Sequence, residues 1–160
     1  MSASLSPDDG GRAAYEVTLQ VEAADLDAQA HVNNVVYVRW VQDAAVAHWE
    51  ALTSPETRAE VGWVLLRHEI DYHRPAVLGD EVSVRTTVGH LEGLTFERWT
   101  EIRAADDQLL ARSRTLWCPV HPRTGRPRRV SPELRALFSV AADGGAAGAP
   151  APPVTAPSAS

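Results

Sequence analysis

Ten consecutive residues, D-L-D-A-Q-A-H-V-N-N at positions 25–34, gather two carboxylates, one glutamine, one imidazole and two asparagines. Directly after them the chain turns apolar, V-V-Y-V-R-W-V-Q-D-A-A. Three kinds of chemistry suit such a cluster. Asp25, Asp27 and Gln29 fit the first three ligand positions of a calcium loop, which also needs Gly at its sixth position and Glu at its twelfth. Those positions hold Ala30 and Val36, so calcium is excluded. A transition-metal site on Asp27 and His31 needs further donors that no neighbour in the sequence supplies, and no metal is expected. A helix cap accounts for one asparagine but requires neither the two acids nor His31. The remaining reading is acyl chemistry. A helix N-terminus offers unpaired N–H groups and a partial positive charge, which polarise a carbonyl and stabilise the oxyanion formed on attack. A carboxylate held beside that carbonyl attacks it or activates water.

The elements that must position this stretch follow from hydrophobic spacing. Tyr15–Ala23 alternates apolar and polar residues, the mark of a half-buried strand. Tyr37, Val41, Ala44, Ala45, His48 and Leu52 then share one face of a long helix. Asn33 or Asn34 caps that helix, and Thr53-Ser54-Pro55 ends it. Beyond it the pattern is strand after strand: Trp63–Tyr72, a turn through Pro75 and Gly79-Asp80, Glu81–Val88, Leu94–Arg103 and Leu109–Val120. Ser131-Pro132-Glu133 opens a short C-terminal helix. Tight connections imply an antiparallel sheet. One long helix against about five such strands makes a two-layer α+β domain.

The 160 residues suffice for one domain with a real core. Residues 1–13 are expected to be loose, residues 14–139 to fold, and residues 140–160, rich in Ala, Pro and Gly, to be disordered. A net charge of −6, with all 15 basic residues arginine, argues against nucleic acid as the main partner. The single cysteine, Cys118, allows no intrachain disulfide. Neither a membrane span nor a standard secretory signal is legible, so a cytoplasmic location is expected.

With the elements in order, D-L-D-A-Q-A-H-V-N-N-V-V-Y resembles the D-x-D-x-x-x-H-V-N-N-x-x-Y signature of hotdog-fold thioesterases, the 4-hydroxybenzoyl-CoA thioesterase and acyl-ACP thioesterase families. Y-H-R-P-A-V-L-G-D-E-V, from Tyr72 to Val82, is similar to their Y-x-x-P-x-x-x-G-D-x-V segment. The resemblance implies a hotdog fold, a homodimer or homotetramer with active sites at the dimer interface, and hydrolysis of an acyl-CoA or acyl-ACP thioester without a cofactor. By resemblance Asp27 is the catalytic base or nucleophile, His31 a second site residue, and Gln29 stands where plant-type members have Asn. Asn33 and Asn34 begin the helix that faces the carbonyl; Asp25 and Tyr37 are expected to be structural, Tyr37 being also a candidate to line the acyl pocket. Two departures stand out. Ala30 replaces the Gly that many bacterial members place before H-V-N-N, and Leu91-Glu92-Gly93-Leu94 replaces a basic, CoA-gripping run. Arg126 and Arg128 sit where related enzymes contact phosphates and are the candidate CoA-phosphate site. Two other readings remain: a non-catalytic acyl-thioester binding module, and a hotdog-fold hydratase or dehydratase using Asp43 or Glu50 of the central helix.

Overall fold

The computed structural model describes residues 2–7 and 12–139. The expected disordered segment, 140–160, lies outside those residues. In chain order the elements are β1 (Ser2–Pro7), β2 (Ala13–Gln20), α1 (Asn34–Leu52), α2 (Pro55–Glu60), β3 (Gly62–Tyr72), β4 (Glu81–Glu92), β5 (Thr95–Ala104), β6 (Leu109–Val120) and α3 (Pro132–Ala136). The strands form one antiparallel sheet in the order β1-β2-β4-β5-β6-β3. The α+β architecture matches expectation, with six strands in place of about five.

The extra strand corrects the expectation that residues 1–13 are loose: Ser2–Pro7 pairs along β2, Ser2 opposite Thr18 and Pro7 opposite Ala13. Residues 2–5 are exposed, so backbone pairing to an open edge holds this strand, and a reading based on buried apolar periodicity passes over it. A second addition is α2. Pro55 both stops α1 and starts the next helix, because proline fits the first helical turn, where its missing N–H costs nothing. Ser54 caps it, accepting from the Thr57 N–H at 3.3 Å.

Helix α1 runs across β2 and β4 and buries Val36, Tyr37, Trp40, Val41, Ala44, Ala45 and His48, nearly the face that the spacing marks. Its N-terminal half closes one apolar cluster with Val82, Val84, Ile102 and Ala111. A second cluster, built from Val61, Val88, Phe96, Val130, Leu134 and Phe138, lies under its C-terminal half. Between the two, the inner face of the sheet is polar. Thr86, Thr100 and Ser113 stand opposite one another across β4, β5 and β6, and Arg98 stands opposite Thr115; all five are buried. No helix among the described residues is long and apolar enough to cross a membrane.

His48 reaches into this polar seam at 0% exposure. Its Nδ1 lies 2.9 Å from Arg98 Nη1. A guanidinium only donates, so Nδ1 accepts, the ring is neutral, and its proton sits on Nε2, which has no partner among the described residues. Burial first, and the Arg98 charge second, pull its pKa from 6.5 down to about 3. The unfolded chain therefore takes up a proton below pH 6.5 that the folded chain refuses. Stability is unaffected above that pH and is expected to fall by about 1.4 kcal/mol per pH unit between 6.5 and 3 on account of this one ring. Urea unfolding at pH 7.0, 6.0 and 5.0 measures the slope, and His48→Phe is expected to flatten it.

Candidate active site

The chain between β2 and α1 is folded by its own polar groups. Asp25 is 7% exposed and turned inward. Its Oδ1 meets the Arg39 guanidinium at 2.5 Å, its Oδ2 accepts from the Glu22 N–H at 3.1 Å, and its carbonyl accepts from the Asn33 N–H at 2.9 Å. Asp25 thus ties the loop to the first turns of α1, and its carboxylate is fully engaged there.

Asp27 is exposed. Its Oδ1 accepts from the backbone N–H of Gln29 at 2.8 Å and of His31 at 3.3 Å. Its own N–H donates to the His31 carbonyl at 2.8 Å, and the Ala30 N–H donates to the Asp27 carbonyl at 3.1 Å. A tight loop from Asp27 to His31 results, with one carboxylate oxygen locked into it and Oδ2 free of any protein donor among the described residues. The loop closes through Ala30 at φ 60°, the left-handed region that glycine adopts without strain. The departure from glycine noted in the sequence thus falls where the backbone favours glycine.

Helix α1 begins at Asn34, and Asn33 is its cap: Oδ1 accepts from the Val35 N–H at 3.0 Å and the carbonyl from the Val36 N–H at 2.8 Å. The N–H of Asn34, first in the helix, donates to no described group. Its carbonyl accepts from the Tyr72 hydroxyl at 3.2 Å, which fixes the helix start against the end of β3. A free backbone donor at a positive helix end therefore stands a few residues from a half-committed carboxylate.

The remaining expected site residues divide. Gln29 is exposed and contributes its backbone N–H to the loop. His31 is partly buried, and its imidazole makes no hydrogen bond among the described residues. Tyr37 is 2% exposed, and its hydroxyl accepts from the Ala76 N–H at 2.9 Å, pinning the turn between β3 and β4 to α1. That places it in the core under the site, in a structural role. Arg126 and Arg128 are not brought to Asp27 within one subunit. Arg128 donates from Nη1 to the Glu60 carbonyl at 2.8 Å, beside Gly62 at the start of β3, whereas the α1 N-terminus sits at Tyr72, the strand's other end. Eleven residues of strand separate the two by roughly 30 Å.

Sequence reasoning misses a cavity under the C-terminal half of α1, of about 140 Å³, lined by Trp49, Trp63, Phe96, Trp117, Phe138 and Arg98 among others. One signal for it lies in β5, where Phe96, Arg98, Thr100 and Ile102 alternate inward, so that an arginine occupies a core position.

Known proteins share this fold. The family model of the thioesterase-like superfamily matches residues 21–138, from the end of β2 to the last buried phenylalanine. The chain belongs to this superfamily. Over 83 residues it is 28% identical to the long-chain acyl-CoA thioesterase FadM of Escherichia coli, a match covering 49% of this chain and 61% of that enzyme. The chain thus spans about six-tenths of that relative's length. The solved structure of the probable thioesterase YbaW from Escherichia coli aligns with a TM-score of 0.70 at 24% identity, covering 76% of this chain and 94% of that one. A Thermus thermophilus thioesterase complexed with coenzyme A and zinc aligns with a TM-score of 0.67 at 25% identity, over 77% and 90% of the two chains. The helix-on-sheet architecture is the hotdog fold.

In this superfamily member Ala30 holds a conformation that costs an L-residue about 1–2 kcal/mol, against the ~0.5–1 kcal/mol that glycine's freedom costs in the unfolded chain. Ala30→Gly is therefore expected to stabilise the protein by about 0.5–1 kcal/mol. The thermal midpoint, read by calorimetry, is expected to rise by roughly 2–4 °C.

Proposed function

We propose that this protein hydrolyses acyl-CoA thioesters, with Asp27 as the catalytic carboxylate. The observation that carries the reading is the loop itself: Asp27 Oδ1 is held by two backbone N–H groups while Oδ2 is left free beside a helix whose first N–H is also free. The thioester carbonyl oxygen takes the Asn34 N–H and the positive end of α1, which together stabilise the oxyanion. Asp27 Oδ2 either removes a proton from a water that attacks the carbonyl, or attacks the carbonyl itself. In both routes the C–S bond breaks and the thiolate leaves and is protonated. The first releases the acyl group directly as a carboxylate, while the second leaves an acyl–aspartyl anhydride that water then hydrolyses to the carboxylate and free Asp27. Incorporation of ¹⁸O into Asp27 during a single turnover in labelled water distinguishes nucleophile from base. His31, with its imidazole uncommitted, is a second polar group at the site.

The reading requires two copies of the chain. Among the described residues β3 pairs only with β6, so one edge is open. The register shifts between Leu65 and Arg67, and this bulge breaks the inside–outside alternation. Val64, Leu65 and Leu66 are all exposed, by 45, 41 and 57%, and Val35, Val38 and Val46 of α1 are exposed as well. An unpaired apolar edge is a surface for another strand. Two β3 strands paired antiparallel about a two-fold axis bring the Gly62 end of one beside the Tyr72 end of the other. The Arg126–Arg128 turn of one copy then lies by the Asp27 loop of the second, where clustered guanidiniums suit the CoA phosphates. The match to a CoA-bound thioesterase structure supports CoA as the carrier.

Two experiments test this. Asp27→Asn keeps an acceptor oxygen for the loop, so thiol release from acyl-CoA is expected to fall by at least about 100-fold with the thermal midpoint little changed. Asp27→Ala is expected to lose activity and about 1–2 kcal/mol of stability as well. An Asp27→Asn protein of wild-type rate, its mass confirming no deamidation, overturns the mechanism. Light scattering is expected to find a dimer or a multiple of it. Leu66→Glu is expected to give folded monomers with little thiol release; an active monomer refutes the shared site.

A further inference from the structure

The cavity under α1 has features that the chemistry at Asp27 does not use. Four of its rings touch in a closed circuit: Trp49 to Trp63 at 5.5 Å, Trp63 to Phe96 at 4.7 Å, Phe96 to Phe138 at 4.7 Å and Phe138 to Trp49 at 6.0 Å. Such cages commonly hold cations on the ring faces. Here the cation is already part of the wall: Arg98 lines the same cavity, its guanidinium carbon 5.7 Å from the centre of the Phe96 ring, so a second cation is repelled.

Arg98 is 4% exposed and pairs with no carboxylate among the described residues. Its Nη1 donates to His48 Nδ1 at 2.9 Å and Thr86 Oγ1 at 3.1 Å, while Nε and Nη2 donate to no described group. His48 is neutral and the face of the Phe96 ring lies 5.7 Å from the guanidinium carbon, so no described group in contact with the guanidinium carries a negative charge. Burial lowers its pKa to about 9, which leaves it charged at neutral pH. A buried charge without a counter-ion is among the costliest arrangements in a protein. The chemistry that relieves it is a planar anion taking two parallel N–H groups, and a carboxylate fits that fork.

The rest of the cavity fixes what the carboxylate is attached to. Its walls are aromatic, and about 140 Å³ is close to the volume that takes up one benzene ring. Its rim includes Gln42 and Val46 of α1 and Trp63 of β3, next to the apolar edge where a second copy pairs. That copy's α1 N-terminus, and the thioester it polarises, then lie on the same side as the opening.

We propose that this cavity receives the acyl group and that Arg98 binds a carboxylate at the end of that group remote from the thioester. The substrates are then CoA monothioesters of dicarboxylic acids of about six carbons in all, or with one ring between the carboxyls, the size of the cavity. This rests on the thioesterase reading for its reaction, though not for its binding site.

Thiol release from matched pairs tests it: adipoyl-CoA against hexanoyl-CoA, and 4-carboxybenzoyl-CoA against benzoyl-CoA. A charge-assisted bidentate contact predicts kcat/KM at least about 10-fold higher for the carboxylated member of at least one pair. Arg98→Met is expected to invert that ratio. A smaller wild-type preference in both pairs overturns the proposal without needing any variant, and leaves hydrolysis standing. If no thioester of either kind is cleaved, the hydrolysis reading fails on its own. The pocket is then decided by quenching of tryptophan fluorescence with free adipate and terephthalate. Saturable quenching that hexanoate and benzoate do not reproduce, and that Arg98→Met abolishes, supports the carboxylate site; its absence overturns it.

Discussion

A single helix about 10 Å wide cannot cover a sheet six strands across, since six strands at about 4.8 Å spacing extend well beyond it. This mismatch governs the rest of the molecule. α1 settles over β2 and β4, and burial there is deep: Val82, Val84 and Thr86 are fully enclosed. β3, at the far edge, is left half-exposed along its length. The apolar residues of that strand and the valines on the outer side of α1 are exposed. The fold thus completes its core on one side and leaves the β3 side open.

The same helix divides the protein lengthwise. At its N-terminus the polar groups are backbone amides and a carboxylate, all near solvent and fixed by short-range hydrogen bonds. Toward its C-terminus the polar groups are side chains buried between helix and sheet, His48 of α1 with Thr86 and Arg98 of the strands, beside tryptophan and phenylalanine. The seam between the two apolar clusters is where the sheet tolerates polarity, since each hydroxyl finds a neighbour: Thr100 donates to Thr86 and Arg98 donates to Thr86 as well. Among the described residues, His48 Nε2 and the outer edge of the guanidinium find no hydrogen-bond partner. Polar atoms in that position are retained against a real energetic cost.

Much of this is legible in the residues. The i, i+4, i+7 spacing from Tyr37 marks the buried face of α1, Asn33 announces its cap, and Ser131-Pro132 announces α3, because each of these signals is local. The Asp27 loop is legible as chemistry but not as a shape. Its closure depends on a left-handed Ala30, which no propensity favours. Residues 2–7 read as loose because their strand is held by pairing to β2 and buries little. Tyr37 reads as structural, but its partner is not legible, because a helix face says only that a residue is covered, not by what. Arg126 and Arg128 cannot be placed from sequence, as their distance from Asp27 depends on which end of β3 they adjoin. Arg98 escapes notice for a related reason. An arginine in a strand reads as solvent-facing until the phase of the alternation is fixed by its neighbours.

Phe138, near the last of the described residues, has a consequence for synthesis. It stacks on Trp49 and packs against Phe96, and its carbonyl accepts from the Ala13 N–H at 3.0 Å. One late residue therefore joins the beginning of β2, the central helix and β5. As the chain emerges from the ribosome, β2 and α1 appear long before the ring that seals the space beneath them. Until Phe138 is released, the aromatic chamber lacks one wall and Trp49 lacks its stacking partner. The nascent protein can assemble the loop around Asp27 early, from contacts close in sequence, but its second core waits for this ring. Its vulnerable interval on the ribosome is set by Phe138, far from the Asp27 loop.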